Sequence, residues 1–418
     1  MNTMMNLRER YDVAIVGGGL AGSALAALLA RQDRDVALLE KDAFPRYKLC
    51  GEFLSTESRS LLAEIGCLDR VLEARPAVIR SSRFVAPSGR AVELPLPGVG
   101  LGLRRWVLDH ILFEHARSCG ADTATRTEVR EIVERASTDS CETTALRLRA
   151  AENEERQIAA AAVVLAHGRR DRLDRQLERP FLRRPTRWAG FQRHCVSIST
   201  AAGERLRKRL DGVVEVHGFD GGYCGLMFVD GGRINVCGFL DERHLKGASP
   251  NDWSALEAFL SKANPELALR LDDLAPKGDP ARSVARVPLV NKEPTVGQLL
   301  CLGDAAGMVA PMCGDGQATA LRSAVLLAEV FNGAPAALEN GAVDAIAHAW
   351  SVAWHREFAR RMRLGRWLQA ILVRPRWADL SVRIVRLLPP VGRLLVRATR
   401  ARSSAPASKS RANVQPDQ

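Results

Sequence analysis

YDVAIVGGGLAGSALAALLARQDRDVALLE, Tyr11 to Glu40, is the stretch that decides the fold. It opens on Val13 to Val16, a short apolar run of the kind a buried parallel strand requires. Gly17, Gly19 and Gly22 follow in G-x-G-x-x-G spacing, and a helix-forming run of Ala and Leu extends to Ala30. A second apolar run, Val36 to Leu39, ends in Glu40, 18 residues after Gly22. Each glycine has a physical role in such a unit. Gly17 permits a tight turn, Gly19 lets backbone approach a pyrophosphate, and Gly22 lets the helix sit against the strands. The helix start offers unpaired N–H groups to phosphate, and Glu40 is placed to accept hydrogen bonds from a ribose. Val13 to Ala30 is also 18 residues without a charge, the length of a membrane span. Four glycines inside it and the strand–helix–strand rhythm ending in an acid favour the nucleotide site.

With 418 residues the chain can bury a large core and form two or three domains. Its hydrophobic content of 46% excludes a disordered protein. Nine cysteines without a C-x-x-C pair argue against a disulfide framework or a zinc ribbon, and no metal site is expected. No export signal is evident, so a reducing cytoplasm is the expected setting. The net charge of +12 is local: His355 to Arg402 holds 13 arginines against Glu357 and Asp379, a balance of +11. The rest is close to neutral, and no nucleic-acid-binding body is expected.

The expected fold is α/β, a Rossmann-type dinucleotide-binding domain with an inserted antiparallel β substrate domain and a helical C-terminus. The nucleotide-binding part takes residues 11–80, 101–180 and 296–340. The substrate part takes 81–100, a hairpin about Pro87-Ser88-Gly89, and 186–295, where short strands alternate with glycine turns. Residues 341–402 form a basic amphipathic helical segment, and 403–418, rich in Ser, Ala and Pro, is expected to be disordered.

A second site element is Gly303-Asp304-Ala305-Ala306-Gly307, followed by Pro311, Gly314 and Gly316. An acid at a strand end among small residues can meet a polyol, and the helix start at Gly316 exposes N–H groups. Together with the glycine fingerprint, the loop PRYKLCGE (Pro45 to Glu52) and the R-x-x-L-D of Arg105 to Asp109, this element resembles a known superfamily. It contains the single-component FAD aromatic hydroxylases and the geranylgeranyl reductases, and the similarity spans roughly residues 11 to 335.

The resemblance implies FAD as cofactor. Gly17, Gly19 and Gly22 would then hold its pyrophosphate, and Glu40 the adenosine ribose, with Lys41 beside it in the cofactor set. Arg105 matches an arginine approaching the flavin phosphate and ribityl chain, and Val129 a position whose backbone meets the adenine. Asp304 matches the acid on the ribityl hydroxyls, with Gly314 and Gly316 beside the flavin ring. Arg46 and Lys48 lie in a loop that runs near the cofactor, where a solvated basic loop is the alternative. Cys50, in the same loop, is the candidate catalytic residue; its alternative is a small buried hydrophobe. Two departures matter. Glu52 stands where the reductases often carry a second glycine after Cys-Gly, and His167 where many hydroxylases carry Asp. No Trp-x-Trp-x-Ile-Pro is present, which weighs against the flavin halogenases.

The activity expected is FAD-dependent oxidation or reduction of a lipophilic small molecule, of the monooxygenase type. Reduction of a carbon–carbon double bond in a prenyl or polyketide substrate is the alternative, and a non-catalytic membrane-associated flavoprotein a third reading. NAD(P)H is a candidate electron donor. The arginines among Leu364 to Leu395 alternate with apolar residues at helical spacing, which suits an anionic membrane surface, peripheral on its inner face. A helix pair covering the FAD domain is the competing account. Substrate identity and oligomeric state are not encoded in these patterns.

Overall fold

A computed structural model describes residues 6–138, 141–150, 154–245, 252–278, 280–335, 338 and 342–399. The segment 403–418 lies outside the described residues. Strands Leu299–Cys301, Glu155–Leu165, Arg10–Val16, Val36–Leu39 and Asp122–Ala124 lie side by side and parallel. The short Thr295–Val296 pairs antiparallel at one edge, and a hairpin of Thr127–Thr138 and Cys141–Ala150 branches from Glu155–Leu165. Val13, Ala14, Ile15 and Val36 to Leu38 are fully buried, because helices Leu20–Ala30, Arg105–Ser118 and Gly316–Gly333 close over the sheet. Both faces of these strands are out of water, as their zero exposure shows, which is why they are apolar throughout rather than alternating.

The topology places the site. After Arg10–Val16 the chain moves to Val36–Leu39 on one side, whereas Glu155–Leu165 adds on the other. The turns leaving Val16 and Leu165 therefore diverge and leave a crevice at the carboxyl ends of these two strands, where open α/β sheets bind ligands.

The second sheet has the order Leu274–Pro276, Trp188–Ser197, Ile234–Asp241, Gly222–Phe228, Val213–Phe219, Ala77–Val85, Ala91–Gly102 and Phe53–Leu54. All neighbours are antiparallel except Val213–Phe219 with Ala77–Val85. Its hairpin strand begins at Ala77, before the expected 81, and Phe53–Leu54 joins its edge from the loop that carries Cys50. Two residues are too short to leave a period in sequence. Helix Ala201–Leu210 was not anticipated either, since its surface is highly charged. Thr200 caps it by accepting from the Gly203 N–H at 3.1 Å, and it buries only Gly203, Leu206 and Leu210.

The C-terminal segment folds as helices Val343–Leu372, Pro375–Leu387 and Pro389–Thr399, the latter two each starting on a proline. Ile346, Trp350, Trp354, Phe358 and Met362, four residues apart, bury one face of the first against the core of the parallel-sheet domain. Trp350 Nε1 donates to the carbonyls of Pro294 and Cys301 at 3.1 and 3.0 Å. No described helix is long and apolar enough to cross a membrane.

One buried charge locks the second domain. The Glu215 side chain is fully buried and accepts from Arg83, Arg209, Arg270 and His217 at 2.9, 2.9, 3.0 and 2.9 Å. Burial alone would raise its carboxyl, but the hydrogen bonds from His217, Arg209 and Arg83 outweigh it and hold the group well below the carboxylate range. Removing the carboxylate takes from buried Arg270 and His217 the acceptor they share, and leaves Arg270 and Arg83 with only Glu266 and Glu93 among the described residues. Glu215→Ala should therefore lower the urea stability of this domain by about 3–5 kcal/mol. A loss below about 1 kcal/mol would show that the network does not hold the domain.

Candidate active site

The crevice is a groove of two connected lobes. One spans about 800 Å³, open to solvent, and is bordered by Gly17, Glu40, Lys41, Arg46, Val129 and His167. The other encloses about 1180 Å³, open to solvent, and is bordered by Cys50, Glu52, Arg105, Asp304, Gly314 and Gly316. Gly19, Lys48 and Ala166 border both, so the lobes meet over the start of helix Leu20–Ala30. The structure thus brings the predicted site residues to one groove, except Gly22, which borders neither lobe.

The glycines divide the labour sharply. A Cβ on Gly22 would lie 2.0 Å from the Gly17 carbonyl oxygen, and one on Gly17, at φ +115°, 2.5 Å from that of Ala166. Both are packing requirements. A Cβ on Gly19 would instead enter the groove, with its nearest neighbour the Arg46 guanidinium at 3.4 Å and Arg105 at 3.9 Å. An open backbone flanked by two cations at a helix start is a cradle for phosphate. Glu40 closes the first lobe, accepting from the Gly18 N–H at 2.9 Å and the Asp42 N–H at 3.0 Å. Arg46 spans from Glu40 at 3.2 Å to Asp109 at 3.5 Å, and Arg105 Nε donates to Asp109 at 2.7 Å. Burial works against the Arg105 charge, yet Asp109 and the Cys50 sulfur keep its guanidinium above its ordinary value.

These residues fit FAD. Gly19, Arg46 and Arg105 would hold the pyrophosphate, Glu40 and the Val129 edge the adenosine, and Asp304 the ribityl hydroxyls. The Asp304 carboxylate borders the second lobe without a hydrogen-bond partner among the described residues. Gly316 has nothing within 4 Å of its Cβ position, and Asp315, the residue before it, does not cap its own helix. Asp315 is drawn away by Ser55 Oγ at 3.1 Å and by Arg361 of the C-terminal helix, leaving the helix start open to the lobe.

Cys50 sits where the lobe turns from polar to apolar. Its sulfur accepts from Gln317 Nε2 at 3.2 Å, the Glu52 N–H at 3.4 Å and Arg105 Nη1 at 3.9 Å. Its own backbone is held by Gln192 and Asn235 of the second sheet, with the Cys50 N–H donating to Gln192 Oε1 at 3.2 Å. Beyond it, Leu49, Phe53, Tyr223, Phe239, Val284 and Met308 line an apolar end. Burial pushes the Tyr223 hydroxyl well up and keeps it neutral.

Two site residues, Lys292 and Gln317, escaped the sequence reading; Glu52 entered it only as a departure from the reductase pattern, and Lys48 as a neighbour of Arg46 in the loop near the cofactor. Glu52 adopts φ +58°, conformationally the glycine it replaces, at a cost of about 1 kcal/mol. Its carboxylate offsets that by accepting from the Arg105 N–H at 3.0 Å and meeting His194 Nε2 at 2.7 Å. Lys48 has no hydrogen-bond or ion-pair partner among the described residues, and burial, then the Arg105 charge, pushes its amine down to about 8. Lys292 donates to the carbonyls of Arg169 and Asp304, at 2.5 and 2.8 Å, tying together the loops on either side of the groove. Gln317 anchors Cys50. His167 is buried 3.6 Å from Asp174, and burial lowers its ring.

The glycine geometry makes a paired prediction. Gly19→Ala should fold and melt as the parent apoprotein does, but purify with FAD content reduced at least about tenfold, read from the flavin-to-protein absorbance ratio. Gly17→Ala should instead lose folded protein altogether. Full flavin content in Gly19→Ala would contradict the cradle.

A model of the FAD binding domain matches residues 10–337, most of the chain. Menaquinone reductase of Mycolicibacterium smegmatis is 26% identical over 386 residues, covering 90% of this chain and 88% of that one. A shorter match, 37% identical over 131 residues, links 28% of this chain to 26% of conditioned medium factor receptor 1 of Dictyostelium discoideum. Among solved structures, the flavin-dependent brominase Bmp2 superposes with a TM-score of 0.72 at 17% identity, over 93% of both chains, which is a likeness of fold. With the groove built for FAD and the family model spanning both halves of that groove, the chain belongs to the FAD binding domain family and is an FAD-dependent oxidoreductase.

Proposed function

We propose that this oxidoreductase reduces a carbon–carbon double bond in a lipophilic, prenyl-type substrate. The observation that carries the reading is the second lobe, where Leu49, Phe53, Tyr223, Phe239, Val284 and Met308 form a largely apolar wall beside Cys50. The near full-length similarity to a menaquinone reductase supports the same direction. Hydroxylation, the expectation from frequency within the superfamily, is the competing reading.

Bound FAD, once reduced, supplies the hydride. The chain's own groups must orient the substrate, exclude water and deliver a proton to the second carbon. Aromatic and aliphatic walls hold an apolar chain and desolvate it. The Cys50 thiol, fixed by Gln317 and the Glu52 N–H, marks where the reacting carbons stop. Glu52 borders the lobe and shares a 2.7 Å hydrogen bond with His194, so this pair can hold a proton beside the reacting carbons and pass it forward.

Protein reduced with one equivalent of dithionite under argon and mixed with menaquinone should reoxidise its flavin without oxygen, and after air has returned any quinol to quinone, mass spectrometry should still find a product enriched by two hydrogens. Cys50→Ala should keep its FAD but slow that reoxidation by about tenfold or more. A product that gains one oxygen, formed only in air, would overturn the reading in favour of hydroxylation.

A further inference from the structure

We infer that the two last helices, Pro375–Leu387 and Pro389–Thr399, form a docking surface for an anionic lipid bilayer. On the first, Trp377, Leu380, Ile384 and Leu387 fall at i, i+3, i+7 and i+10, on one face, and all four are exposed, Leu387 by 81%. The opposite face, Ala378, Val382 and Val385, is buried against the protein. Leu388, Val391 and Leu394 continue the exposed apolar strip onto the second helix, Leu394 by 68%. Gly392 fixes the packing of that helix, since a Cβ there would lie 2.5 Å from Val385 and 2.8 Å from Leu94. An amphipathic helix in a soluble protein turns its apolar arc inward. This one is already packed, and carries a second apolar arc outward.

The charge around the strip selects the occupant. From Phe358 to Thr399 the chain has ten arginines and one acid, Asp379, which accepts a hydrogen bond from Ser88. Arg374, Arg376, Arg383, Arg386 and Arg393 are exposed along the strip. A second copy docking by a two-fold axis would set this arginine field against itself. Nucleic acid would satisfy the arginines but leave Leu380, Ile384, Leu387 and Leu394 without apolar partners. A bilayer rich in anionic headgroups satisfies both: the aliphatic and Trp side chains enter the acyl boundary, and the guanidinium groups meet phosphate. The surface joins the redox site physically, because Met362 and Trp354 of the preceding helix pack on Gly307, next to Met308 of the apolar lobe.

The test needs no turnover, so it is independent of the proposed reaction. Full-length protein should float with vesicles containing phosphatidylglycerol and not with pure phosphatidylcholine, and added salt should weaken the binding. Ile384→Glu with Leu387→Glu, and separately Arg383→Glu with Arg386→Glu, should each weaken it by about tenfold or more while leaving FAD content and circular dichroism unchanged. Absence of flotation with the anionic vesicles would overturn the inference. So would vesicle binding that both double variants retain, or size-exclusion showing a dimer that those variants dissociate, which would assign the strip to a protein interface.

Discussion

The close approach of two backbone turns governs this molecule. Gly17 can pass the Ala166 carbonyl, and Gly22 the Gly17 carbonyl, only because neither carries a Cβ. That contact sets the start of helix Leu20–Ala30 at the point where the strand order diverges, and so fixes where unpaired N–H groups face solvent. Glu40, Arg46, Asp109 and Arg105 then form a continuous charged chain around that point. The sheet, the crevice and the cofactor orientation all follow from a few ångströms of clearance.

The second domain acts on the site through the Cys50 loop. Gln192 and Asn235 hold that loop by its backbone, Phe53–Leu54 joins the edge of the second sheet, and Glu52 reaches His194. Cys50 therefore belongs to both domains at once. A reacting group fixed from two directions, with Gln317 and Arg105 as further tethers, needs no rearrangement before substrate arrives. Lys292 does the equivalent for the other rim, joining the Arg169 and Asp304 carbonyls.

How much of this was legible depended on whether the constraint was local. The glycine fingerprint, Glu40 and the Asp304 turn are short-range requirements of backbone geometry, and sequence spacing carries them. The Glu52–His194 contact joins residues 142 positions apart and exists only through β pairing, so nothing in either neighbourhood signals it. Lys292 looked like any lysine in a Pro-containing connection, because burial of its amine is a tertiary fact. The alternation of Arg and Leu near the C-terminus was readable as amphipathic helix. Which face packs inward was not, since Ala378, Val382 and Val385 are no more apolar than the Trp377, Leu380 and Ile384 they oppose.

The central claim is that both lobes serve one dinucleotide. Calorimetric titration of the apoprotein with FAD and with FMN tests it directly, because FMN lacks the adenosine half. Glu40, Arg46 and the Val129 edge should make FAD bind more tightly by roughly a hundredfold, or about 2.7 kcal/mol. Equal affinities for the two flavins would contradict the account, for they would leave the lobe beside Glu40 without a role in holding the cofactor.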